Sequence, residues 1–372
     1  MKPVRILHTA DLHLDSPFEG LSGSRAVIRR AGQRELPGRI AALAVSEKVD
    51  AVLLSGDLFD SDSCYFETGR ELMQALERIQ APVFIAPGNH DYYSPDSPYA
   101  RLALPSNVHV FTSPEVECFD MSDLGFRVYG AAFTEKSSGP LLKHFRATQD
   151  SDVVNLLCMH GEVCRSESGS RYNPITPEML EASGLDYAAL GHVHTFSGLQ
   201  RAGLCYYSQS GCPEGRGFDE TGDRTVSIVD ISEGGCSITA LSVASRRYEI
   251  VQADVTGKDP YPAVQMLLPD DTSRDIYRII LTGETESPVN TAVLKAALED
   301  GFFELQIIDN TRIRADFWEK AGDDTLRGRF LAGMKRRMDE CEDEPGRRKI
   351  EQAARWGIAA LDNMEEVAIH DC

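Results

Sequence analysis

Short apolar, β-rich runs alternate with longer amphipathic stretches through the first two thirds of the chain. Residues 4–8, 51–54 and 83–86 predict strands. Helices are expected near 34–48 and over 66–79, where Leu72, Met73, Leu76 and Ile79 recur at helical spacing. Strand–helix–strand–helix–strand in so short a span describes βαβ units and a parallel or mixed sheet. Further strands are expected at 108–111, 126–131, 153–159, 187–190, 205–208, 226–231 and 237–242. Strands outnumber helices in this second stretch, which predicts two sheets packed face to face with helices outside.

The pattern changes near Arg246-Arg247. Strands are expected at 248–255, 276–282 and 303–308. A helix lies between the last two, with Ser287 as its cap, Pro288 in its first turn and Gly301 at its end. From Thr325 onward the pattern is helical. Leu326, Phe330, Leu331, Met334 and Met338 form one apolar stripe, and Ile350, Ala354, Ile358 and Leu361 form another. Pro345-Gly346 is expected to separate the two helices. Three domains follow from these shifts: 1–245, a small α+β domain at 246–320, and a helix–turn–helix tail at 321–372.

Composition narrows the class. With 42% hydrophobic and 26% charged residues over 372 positions, the chain is neither disordered nor fibrous. No apolar run approaches the ~20 residues that span a bilayer, and no apolar segment precedes Asp11, so a cytoplasmic location is expected. The net charge is −20, divided into −11 up to residue 250 and −9 beyond it. Neither part carries the basic surplus of a protein that grips nucleic acid by overall charge, although a local groove, bound metals or a basic partner can supply positive potential. Nine cysteines at irregular spacing, none in a C-x-x-C pair, fit reduced thiols better than disulfides or structural zinc.

Five short motifs carry the chemistry: Asp11-Leu12-His13, Gly56-Asp57-Leu58-Phe59-Asp60, Gly88-Asn89-His90-Asp91, His160-Gly161 and Gly191-His192-Val193-His194. Each directly follows an expected strand, and in open α/β sheets the carboxyl ends of strands form the binding crevice. The motifs are therefore expected to converge although they span 180 residues. Asp, His and Asn offer oxygen and imidazole donors without thiolate, which suits Mn²⁺, Fe²⁺ or Zn²⁺ in open sites. Two such ions sharing a carboxylate specialise in displacement at phosphorus. Taken singly, Asp-x-His or Gly-Asp is a common accident; the five in this order are not.

In that order the motifs resemble the calcineurin-like metallophosphoesterase superfamily. The opening from His8 to Phe18, HTADLHLDSPF, looks like the SbcD-type DNA repair nucleases, and is closest to their YhaO-like bacterial branch. The resemblance implies an α/β (α+β) fold: a four-layer sandwich of two mixed β-sheets flanked by helices, followed by a capping domain and the helical tail. It implies two divalent ions, Mn²⁺ first, with Fe²⁺, Zn²⁺ or Mg²⁺ as alternatives. Asp11, His13, Asp57 and His194 would hold one ion. Asp57 would bridge to the second, completed by Asn89, His160 and His192. His90 would face the scissile phosphate rather than bind metal. Asp60 matches the position that orients this histidine in many metallophosphatases, with Asp91 as a second candidate.

The function so implied is a dimetal-dependent nuclease cleaving DNA through attack of a metal-activated water on phosphorus. Its partner would be an SbcC-like ATPase of the SMC family, docked on the C-terminal helices, and a homodimer is possible. Two other functions compete: a phosphatase or phosphodiesterase of small esters, and a catalytically silent assembly subunit. Tyr92 and Tyr93 are candidates for base stacking or a packed turn. Arg30 and Arg34 share one helical face and are candidates for phosphate contact or simple solvation. His8, His109, His144 and His370 are expected to be structural.

Overall fold

The computed structural model describes residues 2–286, 288–313 and 315–361, so Ser287 and His370 lie outside the described residues. The chain forms two compact units, Met1–Arg247 and Tyr248–Cys372.

The first unit holds two six-stranded sheets. From edge to edge, one runs Gly235–Ser242, Thr225–Ser232, Val4–Thr9, Ala51–Leu54, Val83–Ile85, Val108–Val110. The last four strands are parallel to one another, and the hairpin 225–242 pairs antiparallel with Val4–Thr9. The other sheet runs Gln200–Ala202, Cys205–Gln209, Tyr187–Gly191, Val154–His160, Phe126–Ala131, Glu117–Met121. Its four central strands are parallel and its two edges antiparallel.

Alternation along the strands assigns the layers. Ile6, Leu53 and Phe84 point inward and share a core with Val128, Leu156, Tyr187 and Ala189 of the other sheet. Their neighbours Leu7, Val52, Leu54 and Ile85 point outward onto Leu36, Ile40, Leu72 and Leu76 of the helices. On the far side Leu157, Met159, Ala188 and Leu190 pack on Leu180 and surrounding loops. Strands buried on both faces read as continuous apolar runs, which is why 153–159 is so plain in the sequence. The result is the expected four-layer α/β sandwich.

Several local expectations shift. The helix expected at 34–48 is Leu36–Ser46, with Pro37 in its first turn, and Glu35 separates it from a preceding helix, Gly23–Arg34. The edge strands Glu117–Met121 and Gln200–Ala202 lack an apolar run because each is half exposed or more.

In the second unit, strands Tyr248–Asp254, Ile276–Thr282 and Glu304–Asp309 form a parallel sheet. Helices Pro260–Gln265 and Thr291–Leu298 bury Val264, Leu294 and Leu298 against Ala253, Ile279 and Leu281. The second helix starts later than the sequence suggests: the Asn290 side chain caps it by accepting from Val293 N. In the tail, helices Leu326–Asp339 and Glu344–Leu361 pack on each other through Leu331, Met334, Ala354 and Ile358. The two stripes thus cover each other in part, while Leu326 stays 72% exposed. Pro345 lies inside the first turn of the last helix instead of between helices, where its missing N–H costs nothing.

Candidate functional site

Every one of the five motifs sits at the carboxyl end of a parallel strand, and together they fill one crevice in the first unit. Asp11 and His13 follow Val4–Thr9, Asp57 follows Ala51–Leu54, and Asn89 and His90 follow Val83–Ile85. His160 ends Val154–His160, and His192 and His194 follow Tyr187–Gly191. Two sheets therefore contribute from opposite sides.

The loops are locked to each other through the main chain. Asp11 N donates to Gly56 O (2.9 Å) and His13 N to Asp57 O (3.0 Å). His90 N donates to Asp57 Oδ1 (2.9 Å), and His192 N to the Asp11 carboxylate (3.1 Å). Asp91 is fully buried and accepts from Leu58 N, Phe59 N, Gly88 N and the Tyr99 hydroxyl, stapling two loops together. It supports the loops and does not touch the His90 ring. The glycines are there for close approach: a Cβ at Gly88 would overlap Asp57 Oδ1, and one at Gly191 would overlap Ser55 O. Asp11, His13, Asp57 and His192 themselves adopt left-handed backbone, with φ of 56°, 43°, 52° and 88°.

Three groups of donors converge: Asp11, His13 and His194; His13, Asp57 and His90; and Asp57, His160 and His192, each within 4.8 Å of one another. Asn89 Oδ1 joins the last, 3.1 Å from both His160 Nε2 and His192 Nδ1. Asp57 belongs to two groups, as a bridging carboxylate must.

The hydrogen bonds around the ring nitrogens test whether this set suits a cation. His194 Nδ1 lies 2.6 Å from Glu220 Oε1, His13 Nδ1 lies 3.1 Å from Asp60 Oδ1, and His160 Nδ1 lies 2.8 Å from Ser55 O. A carboxylate or carbonyl only accepts, so each Nδ1 carries the proton and each Nε2 is left as a lone pair. His13 Nε2 and His194 Nε2 then face each other at 3.2 Å. His160 Nε2 faces Asp57 Oδ2 at 3.3 Å. Lone pairs aimed at one another need a cation or a proton between them. The donor set fits divalent metal, and the outer partners are those that metal-binding histidines ordinarily use.

Titration shifts agree. Burial lowers His13 and His192 to about 4, which keeps both imidazoles neutral and able to ligate near neutral pH. Burial also opposes charge on His160, but the charge and hydrogen bond of Asp57 outweigh it and raise His160 to about 9. That proton does for the metal-free site what a cation would do. Asp57 is correspondingly held below the usual carboxylate range, although burial acts the other way. Burial raises Asp11 to about 7 against the pull of His160.

Asp60 departs from the role expected for it. Its carboxylate faces His13 and Arg216 Nη1 (3.0 Å), while its main-chain carbonyl receives His90 Nδ1 (3.0 Å). His90 is exposed and is held by backbone, because the turn after Asp57 brings the carbonyl of residue 60 under the ring and sends its side chain the other way. Tyr93 N pairs with Phe133 O and the ring is partly packed, so the packed turn holds there. Arg30 bonds Pro17 O, and Arg34 lies 3.8 Å from Asp15. His8 is structural: buried, it contacts the Tyr187 hydroxyl at 2.9 Å and Leu190 O at 3.2 Å.

Sequence reasoning missed Arg216 and Glu220. They lie in the loop after strand Cys205–Gln209, a parallel neighbour of Tyr187–Gly191. The rule that placed the other motifs, strand end into crevice, applies to this loop as well.

With the geometry in place, comparison with known proteins gives the class. Residues 4–196 match the calcineurin-like phosphoesterase family model. The chain belongs to the calcineurin-like phosphoesterase family. It is 31% identical over 285 residues to the uncharacterized metallophosphoesterase YhaO of Bacillus subtilis (strain 168), covering 72% of this chain and 67% of that one. It is 26% identical over 274 residues to the SbcD component of nuclease SbcCD from the same organism, covering 62% and 67%. It is also 26% identical over 272 residues to the DNA double-strand break repair protein Mre11 of Methanosarcina mazei, covering 69% of this chain and 41% of that protein. No helix among the described residues is long and apolar enough to cross a membrane.

Proposed function

We propose that this chain is a dimetal-dependent phosphodiesterase that cleaves DNA, working with an SbcC-like ATPase. The observation that carries the reading is the single crevice in which Asp57 is shared by two donor sets. Similarity to a component of the SbcCD nuclease and to Mre11 supports DNA as the substrate and an ATPase as the partner.

Asp11, His13, Asp57 and His194 would hold one ion, and Asp57, Asn89, His160 and His192 the other. Two divalent ions there, Mn²⁺ by the hard donor set, supply polarisation of the phosphate oxygens and a water of lowered pKa. The chain's own groups do the rest. Asp60 O fixes the His90 Nδ1 proton, which leaves Nε2 exposed at the mouth to donate a proton to the leaving oxygen. Asp60 itself supports His13 through its carboxylate. The tail helices, with Leu326 and the 42% exposed Trp356, offer the ATPase an apolar surface beyond the stripes they share.

The test is hydrolysis by the purified full-length chain with Mn²⁺, on duplex DNA ends, hairpins and a chromogenic phosphodiester. Cleavage of all three classes is expected. Turnover of the chromogenic ester alone would move the substrate to small phosphate esters, a direction the −20 net charge favours. Turnover of none would leave an assembly subunit.

A further inference from the structure

The two halves of the site are supported by different chemistry. His160 is held by a neutral main-chain carbonyl, Ser55 O. His13 and His194 are held by carboxylates, Asp60 and Glu220, and one guanidinium joins those carboxylates. Arg216 Nη1 donates to Asp60 Oδ1 (3.0 Å) and Nη2 to Glu220 Oε1 (3.1 Å). Arg216 N also donates to Glu220 Oε2 (2.7 Å), so Glu220 is gripped from two directions. Arg224 Nη1 donates to His194 O (2.7 Å), fixing the main chain of the same ligand.

The loop that carries Arg216 and Glu220 is itself anchored. Glu214, 3% exposed, accepts from Arg29 Nη1 (2.6 Å), Arg39 Nη2 (2.5 Å) and Ser245 Oγ (2.7 Å). Arg29 is buried and also donates to Gly215 O (2.7 Å). A buried triad of this kind is costly to assemble and fixes one geometry once assembled. It stands directly beside the residue pair that touches the two histidines.

We propose that Arg216 and Glu220 are positioning residues which, with Asp60, clamp His13 and His194 and make one of the two metal positions tighter than the other. The inference rests on the dimetal reading above. Two effects of Arg216 have opposite sign. Its positive charge repels a divalent ion, so simple Coulomb reasoning has its removal tightening binding. Its role in aligning two carboxylates, which would otherwise repel each other and turn away from the histidines, has its removal weakening binding. The geometry favours alignment, because both carboxylate contacts are made at once and the loop beneath is held rigid.

Calorimetric Mn²⁺ titration of the full-length chain resolves the two sites. The wild type should bind two ions with separated affinities. Glu220→Gln, nearly isosteric, should weaken one site by roughly 10- to 100-fold and leave the other unchanged. Arg216→Gln should weaken the same site, and Arg216→Lys should recover only part of the loss, since an ammonium cannot fork between two carboxylates. Far-UV circular dichroism of each variant checks the fold; should Arg216→Gln unfold, Glu220→Gln carries the test. Equal weakening of both sites, no weakening, or tighter binding in Arg216→Gln would each overturn the clamp. Fewer than two ions in the wild type would instead overturn the dimetal reading beneath it.

Discussion

The two units of the chain solve different problems, and the contrast shows where function costs stability. In Tyr248–Cys372 the described core is simple: aliphatic and aromatic side chains between a three-stranded parallel sheet and two helices, with Thr272, Asp275 and Thr311 as its buried polar residues. In Met1–Arg247 the strand ends bury Asp11, His13, Asp57, Asp91 and His160 together. All nine non-glycine residues with positive φ among the described residues also lie there, four of them candidate ligands. Each such conformation costs of order 1–3 kcal/mol and persists only where surrounding structure over-determines it. Strain and clustered buried charge therefore gather at the crevice, away from the plain apolar core of the second unit.

The largest expected effect breaks the comparison at its centre. Asp57→Asn should abolish hydrolysis of every phosphodiester and lower bound metal to one ion or fewer, because a neutral amide bridges two cations poorly. Mn²⁺ stoichiometry measured beside turnover checks both, and normal values together would remove Asp57 from the site.

His90→Ala tests an exposed member of the same crevice. It should keep two ions and lose ~10²–10⁴ in rate, less with a nitrophenolate leaving group than with an alcohol. Loss of metal in this variant would make His90 a ligand. Asp60→Asn, by contrast, should leave the His90 Nδ1 contact in place, since that contact is to main chain.

Leu281→Ala sharpens the other side. Leu281 is fully buried in the second unit, and its truncation should destabilise by roughly 2–5 kcal/mol in a denaturant titration. Metal binding by the first unit should not change; a parallel loss of both would show that the strained crevice depends on the second unit.

The smallest effect is on acid stability. Burial lowers His8 to about 3, whereas in the unfolded chain it takes up its proton near 6.5. Between these values the unfolded state binds more protons, so stability falls as pH drops below about 6.5, by at most ~1.4 kcal/mol per unit. Above that pH His8 contributes no slope. In His8→Asn the difference between denaturant midpoints at pH 7 and pH 5 should shrink; an unchanged difference would show that His8 stays neutral in both states.

By itself the sequence determined the sheets and the donor set. Strands such as Val154–His160 are buried on both faces and read as unbroken apolar runs, and the donors follow those strands because the crevice lies at their carboxyl ends. A glycine before Asp57, Asn89 and His192 marks backbone that passes too close to another loop for a Cβ. What only the tertiary structure decided is partnership. Asp60 was legible as a carboxylate near the site, but which ring it serves depends on a turn that directs its carbonyl to His90 and its side chain to His13. Glu220 and Arg216 lie far from the other motifs in sequence and reach His194 and Asp60 because parallel pairing sets Cys205–Gln209 beside Tyr187–Gly191. Helix starts at Leu36 and Thr291 were displaced for a related reason: several residues can cap, and packing selects the one whose helix buries its apolar face. Local pattern fixes which residues are available, while hydrogen-bond direction is a property of loops that meet only after the sheets have formed.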